Sequence, residues 1–271
     1  MAKVQHRAVP FRSPLSGVEA VSIASARSFP RHAHDSFGIG LIREGAQHSW
    51  SLVGEVEGVA GDVILVNPGE MHDGTPIGAG RVWSMLYLEP DRLADCLRDA
   101  PGLTGRSGRP VIRHNGLAAA VSRLFACITS PHAQPDAAEE ALLICLESVF
   151  GHHALDGGPI REALSCPAID AALQRIEDAP DEPASLAELA VLCSLSRFQL
   201  LRAFARQTGT TPHAYRLQWM VRMARRHLRS GYALADAALM AGFADQSHMT
   251  RAFQRQFGIT PGRYRTAVLP Q

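Results

Sequence analysis

Lysine is almost missing from this 271-residue chain: Lys3 stands alone, and every other basic residue among the 27 is arginine. Cysteine is sparse as well. Cys96, Cys127, Cys145, Cys166 and Cys193 lie far apart and form no CxxC pair. That spacing excludes a zinc ribbon or a dithiol motif and fits free thiols in a reducing compartment. Long uncharged apolar runs are lacking; Ala141–Leu146, fenced by Glu140 and Glu147, is typical of the longest, so no membrane span is expected. The stretch from Met1 to Leu15 has no apolar segment of the kind a secretory signal needs. No P-loop or GxGxxG occurs, and no Ser/His/Asp, Cys/His or paired-carboxylate set has local support. These absences together predict a cytoplasmic protein that is not an enzyme and has no membrane partner.

What is present is unevenly placed. Hydrophobic residues make up 46% of the chain, enough to pack one or two domains. The net charge of +1 is a sum of opposites. Residues 1–160 carry 13 Lys+Arg against 17 Asp+Glu, a net of −4, whereas residues 161–271 carry 14 against 9, a net of +5. From residue 190 onward there are 12 arginines and only Asp236 and Asp245, a net of +10. A coding bias accounts for arginine over lysine but not for the missing acids. Such asymmetry predicts an anionic partner for the C-terminal half, nucleic acid or membrane.

Texture divides the chain in three. Residues 17–90 are rich in glycine and in short β-type runs such as Val63–Val66 and Val82–Leu88, with a turn signal at Asn67-Pro68-Gly69. Many short strands between such turns predict a sandwich or small barrel. Residues 91–157 switch to helical spacing: Leu117, Val121, Leu124, Phe125 and Ile128 share one face, and Leu142, Leu143, Leu146, Val149 and Phe150 mark a second helix. These apolar faces fit either the domain's own core or a second copy of the chain. Gly157, Gly158 and Pro159 place a linker at 158–167, between a domain at 10–157 and an all-α domain at 168–266.

The last region contains a repeat. A shift of 49 residues aligns 196–216 with 245–265 and gives ten identities in 21 positions without a gap, including Arg202/Arg251, Phe204/Phe253, Gly209/Gly258, Pro212/Pro261 and Tyr215/Tyr264. Each copy reads as a helix-turn-helix, at about 185–208 and 234–257. Ser185 with Glu188 forms a capping-box pattern, Ser196 and Asp245 are candidate N-caps, and Gly209 and Gly258 are stops. With Leu200, Ala203 and Phe204 turned inward, the first second-helix exposes Phe198, Leu201, Arg202 and Ala205; its counterpart buries Met249, Ala252 and Phe253 and exposes Ser247, Thr250, Arg251 and Gln254. A face of arginine, small polar and apolar side chains with few acids suits the major groove of double-stranded DNA. Arg206, Arg255, Arg263 and Arg265 are better placed to neutralise phosphates. Ala214–Arg229, free of Gly and Pro, reads as a stiff connector between the copies.

Residues 185–265 resemble the DNA-binding domain of the AraC/XylS family of bacterial transcription regulators. The motifs are Ser196-x-x-x-Leu200-x-Arg202-x-Phe204, Gly209-x-x-Pro212-x-x-Tyr215, Ala241-Gly242-Phe243, Asp245-x-Ser247, Arg251-x-Phe253 and Gly258-x-Thr260-Pro261-x-x-Tyr264-Arg265. The resemblance implies base contacts from Phe198, Leu201, Arg202, Gln246, Ser247, Thr250 and Arg251. Leu201 departs from the polar residues common there and has only van der Waals contact to offer.

In the first domain, His32-Ala33-His34 and His72, within Pro68-Gly69-Glu70-Met71-His72, stand out. Two histidines at i and i+2 on a strand point one way, and a third from a neighbouring strand completes a metal-binding face. The region resembles the cupin-like sensory domain that the same family carries. Metal-binding cupins add a glutamate about four residues after the HxH, where this chain has Phe37, Gly38, Ile39 and Gly40. His32, His34 and His72 are therefore read as lining an effector pocket, with a divalent metal or a purely structural role as alternatives. Trp50, Trp83 and Tyr87 are read as core. The resemblance further implies a homodimer through 91–157, binding two half-sites under control of a small-molecule effector; an activator would also meet RNA polymerase. Two other readings remain, a metal-dependent cupin enzyme fused to a DNA-binding module and a sequence-neutral nucleoid protein.

Overall fold

The computed structural model describes residues 4–51, 53–98, 100, 103, 105–152 and 167–269. Most of the segment read as a linker lies outside them. The chain divides into two compact units, Met1–Gly157 and Gly158–Gln271.

The first unit is an eight-stranded antiparallel sheet of β1 (Arg7–Phe11), β2 (Val18–Ser25), β3 (Phe29–His32), β4 (Phe37–Ser51), β5 (Gly54–Val59), β6 (Val63–Val66), β7 (His72–Leu88) and β8 (Val111–Ile112). The order is β1-β2-β7-β4-β6-β8, with β3 paired to β7 and β5 to β4. The two long central strands explain the site. β7 runs 17 residues, so it pairs with β3 at its start and with β2 and β4 further on. Its register against β2 is unbroken from Arg81 to Leu88, so side chains alternate strictly between the two sheet faces there. Leu86 and Leu88 take the helix-covered face. Arg81, Trp83, Met85 and Tyr87 take the other.

The helix-covered face holds the main core. Val18, Phe37, Ile39, Leu41, Leu65, Leu86 and Leu88 pack with Leu117, Val121, Leu124 and Ile128 of α2 (Asn115–Thr129) and with Leu142, Leu146, Val149 and Phe150 of α3 (Pro135–His152). The apolar stripes of 91–157 thus close this domain's own core. Leu143 is the exception, at 44% exposed. The segment is also less purely helical than its spacing suggests: after α1 (Pro90–Leu97), Val111 and Ile112 add a strand to β6. Two residues are too few to register as a period.

The second unit is all helical: α4 (Pro167–Asp178), α5 (Leu186–Leu192), α6 (Arg197–Thr208), α7 (Pro212–Arg229), α8 (Leu234–Met240), α9 (Gln246–Phe257) and α10 (Pro261–Val268). Ile169, Ala172 and Ile176 of α4 join Leu189, Ala190, Leu200 and Phe204 in the core around the first helix-turn-helix. Ser185 and Ser196 each cap a helix through a reciprocal capping box, and Asp245 accepts from the His248 amide at 2.7 Å. The repeat has a structural logic. Gly209 and Gly258 end α6 and α9 in left-handed conformation, Thr211 and Thr260 cap the next helices, and Pro212 and Pro261 open them. Tyr215 and Tyr264 then fold back onto Phe204 and Phe253, with ring centroids 5.6 and 5.4 Å apart.

Candidate DNA-binding surface and histidine cluster

With the apolar side of each second helix fixed, its outer side is fixed too. On α6, Leu200 and Phe204 are fully buried, while Phe198 is 79% exposed and Arg202, Ala205 and Arg206 face solvent. On α9, Met249 and Phe253 are buried, and Gln246, Ser247, Arg251, Gln254 and Arg255 are exposed. Leu201 and Thr250 are half-buried at the flanks, as is Arg265, whereas Arg263 is exposed. Among the described residues, Arg202, Arg206, Arg251, Arg255 and Arg263 have no carboxylate partner. An unpaired guanidinium row on an exposed helix is an electrostatic footprint for a polyanion. An 18-residue α7 separates the two helices, about 27 Å of rod at 1.5 Å per residue.

In the first unit the three histidines converge. One ring nitrogen from each of His32, His34 and His72 lies within 4.8 Å of the others, and ring centroids are 4.4–5.1 Å apart. The route differs from two residues along one strand. His32 ends β3 opposite His72 at the start of β7, and His34 lies in the turn beyond β3. The Asn67-Pro68-Gly69 turn pins that segment: Gly69, at φ +71°, donates its amide to the His34 carbonyl at 2.7 Å. Asn67 in turn binds Glu70 and both backbone groups of Ser107.

Two of the rings have a defined tautomer. His32 Nδ1–H donates to the Pro30 carbonyl at 2.7 Å and His72 Nδ1–H to the Glu70 carbonyl at 3.0 Å. Each Nε2 then keeps its lone pair. Burial holds both rings neutral. It pushes His32 down to about 3, helped by the charge of His72 and opposed by the Pro30 carbonyl. It lowers His72 against the Glu70 carbonyl and the charges of Glu70 and Asp73. No carboxylate joins the cluster among the described residues, in keeping with the missing glutamate. Asp73 is engaged elsewhere, by the Trp50 amide and by Arg31.

The aromatic residues read as core divide. Tyr87 stands against His34, ring centroids 5.1 Å apart, so it lines the cluster. Trp50 is half-buried with the Arg31 guanidinium 3.7 Å above its ring. Trp83 is buried, yet its face carries Arg81, 4.4 Å from the centroid. Sequence reasoning passed over Arg81. The signal was its parity, since it alternates in step with Trp83, Met85 and Tyr87 toward the histidine side. Its side chain is 2% exposed, and burial lowers the guanidinium to about 10, a group still charged at neutral pH. Stacking on Trp83 returns about 0.5–2 kcal/mol, against several for desolvating a cation.

Comparison with known proteins finds a family model for each unit. A family model described as AraC-like ligand binding domain matches residues 19–146, and one described as Helix-turn-helix domain matches 189–267. The HTH-type transcriptional regulator YbfI of Bacillus subtilis is 30% identical over 231 residues, 82% of each chain. Two ToxT structures from Vibrio cholerae share the fold at low identity. One, an apo variant from strain SCE256, has a TM-score of 0.53 at 11% identity over 95% of this chain and 100% of that one. The other, from O395, has a TM-score of 0.51 at 10% identity over 98% of each. With both domain models in series and a relative that spans most of its length, the chain belongs to the AraC family of helix-turn-helix transcription regulators, effector-controlled through an N-terminal ligand-binding domain.

Proposed function

We propose that α6 and α9 each enter a major groove, with Phe198, Leu201 and Arg202 reading one half of a site and Gln246, Ser247, Thr250 and Arg251 the other. The supporting observation is the unpaired arginine face repeated on both second helices. Arg202 and Arg251 pair with guanine, and Phe198 lies against thymine methyl groups. Arg206, Arg255, Arg263 and Arg265 bind phosphates. The connector α7 sets the reading helices about one duplex turn apart, ~34 Å centre to centre. The protein acts in the cytoplasm as a homodimer on two half-sites, and an activating mode adds RNA polymerase as a partner. Quantitative footprinting tests the readout. Arg202→Ala or Arg251→Ala costs about 1–3 kcal/mol at the native operator and relaxes base preference nearby. Equal losses on operator and random DNA would refute base reading and favour a sequence-neutral binder.

The histidine cluster supports a second element of this reading, a divalent transition-metal ion in the effector pocket. Three neutral imidazoles, two with Nδ1–H committed to backbone carbonyls, suit a zinc-class ion. Tetrahedral ligation sets the donor nitrogens about 3.3 Å apart, a small contraction from the present spacing. Bound there, the ion supplies a Lewis-acid position to an oxygen-donor effector. Metal analysis of the purified protein is expected to give one ion per chain, lost in His34→Ala. Metal-free protein that cannot be reloaded with zinc or nickel would sink this element.

A further inference from the structure

Arg81 is a cation with nowhere to put its charge. Its Nη2 donates to the Gly74 carbonyl at 3.2 Å, while Nε and Nη1 have no hydrogen-bond partner. It takes part in no ion pair among the described residues. A buried guanidinium normally carries a carboxylate with it, since hydrogen bonds alone do not repay the lost hydration.

Its surroundings have the make-up of a ligand site. Phe29 and Trp83 meet edge to face at 5.8 Å, with the guanidinium over both rings. Gly74 lets its strand come close to the cation: a Cβ there would crowd Arg81 Nη2 at 3.0 Å, with Gln47 Oε1 at 3.7 Å and Ser49 Oγ at 3.8 Å. Gln47 and Ser49 are themselves buried and bonded to each other at 2.9 Å. Gly74, whose carbonyl the guanidinium binds, follows His72 by two residues on the same strand, one pleat repeat of about 6–7 Å.

We infer that Arg81 anchors the carboxylate of a small organic acid, which is the class of effector this domain binds. Either edge of the fork joins one unpartnered nitrogen to Nη2, and each edge matches the two oxygens of a carboxylate. One guanidinium balances one negative charge. A phosphate dianion asks for a second cation. The organic part of the acid lies against Phe29 and Trp83, with Gln47 and Ser49 in reach of its polar substituents. The inference rests on the reading that this face of the sheet is the effector pocket.

The test is calorimetric titration of the full-length protein, stripped of metal so that chelation at the histidines adds no heat. The probes are acetate, succinate, malate, citrate and benzoate, the corresponding amides, and inorganic phosphate. At least one acid is expected to bind saturably, with its amide weaker by about tenfold or more. Arg81→Gln is expected to lose a similar factor, and Arg81→Lys to keep part of the affinity. The inference is overturned if none of the acids binds, if an amide matches its acid, if phosphate outcompetes every acid, or if Arg81→Gln binds unchanged. Should Arg81→Gln fail to fold by circular dichroism, the acid–amide comparison on the parent chain decides. Operator retention separates this from the wider reading. An acid that binds without altering operator affinity leaves the Arg81 site standing and removes its effector role. A neutral compound that alters operator affinity while no acid binds does the reverse.

Discussion

At the scale of single residues, the sensor domain keeps groups that the fold itself does not need. Arg81 is one, and its cost should be measurable in the ligand-free protein. Arg81→Met retains the stem against Trp83 and removes an unpaired buried charge, so it is expected to raise stability by about 1–2 kcal/mol in urea unfolding. A loss of that size would mean that Phe29, Trp83 and the Gly74 carbonyl suffice as partners. His32 is another such group. Its folded value near 3 lies below the 6.5 of the unfolded chain, so the unfolded state binds the proton more readily. Its contribution is complete above pH 6.5 and drains away as pH falls toward 3, at up to about 1.4 kcal/mol per pH unit. Urea midpoints of the metal-free protein at pH 7.5 and 5.5 should differ accordingly, and His32→Gln should flatten the dependence. Arg31, exposed on Trp50, has no such leverage.

At the scale of elements, the two helix-turn-helix units build one turn from different residues. In each, the chain leaves the first helix through a closing bond five residues back, Leu195 to Ala190 and Phe243 to Ala238. Both turns place a residue in left-handed conformation, Gly242 at φ +83° in the second and Ser194 at φ +53° in the first. Ser194 bears a Cβ penalty that Gly242 avoids, so Ser194→Gly is expected to stabilise the DNA-binding domain by up to about 1 kcal/mol. Gly242→Ala goes the other way: its Cβ would meet the Asp181 backbone at 2.9–3.0 Å, and a loss of about 2 kcal/mol or more is expected by thermal melting. Equal effects at the two positions would refute the contrast. Local chemistry of this kind was legible in sequence wherever a residue type has one strong use. Ser196, Asp245, Gly209 and the inward faces of α6 and α9 could all be read directly. The positive φ of Ser194 could not, because nothing in a serine announces it. Arg81 was passed over and Tyr87 was read as core for a related reason: a strand's alternation tells two faces apart without saying which one is greasy core and which carries polar clusters. His34 reached the cluster from a turn, through a bond from Gly69 that no spacing rule contains.

At the scale of the whole molecule, the neutral total resolves into an acidic sensor and a basic reader, and salt dependence tells how many readers bind together. Each phosphate neutralised on duplex DNA contributes about −0.9 to the slope of log Kobs against log salt. Four phosphate contacts per chain, from Arg206, Arg255, Arg263 and Arg265, therefore predict a slope of about −3.6 for one chain and about −7 for two chains on paired half-sites. Removing one contact scales in the same way. Arg255→Ala should flatten the slope by about 0.9 on a single half-site, and by twice that on the full operator when two chains are bound. Because α2 and α3 bury most of their apolar faces within one chain, a dimer must use other surface, such as the exposed Leu143 and Ile144 on α3. Sedimentation of the free protein beside the operator complex gives the stoichiometry independently. A slope near −3.6 on the full operator, with one chain sedimenting on it, would refute the paired arrangement while leaving base reading by α6 and α9 intact.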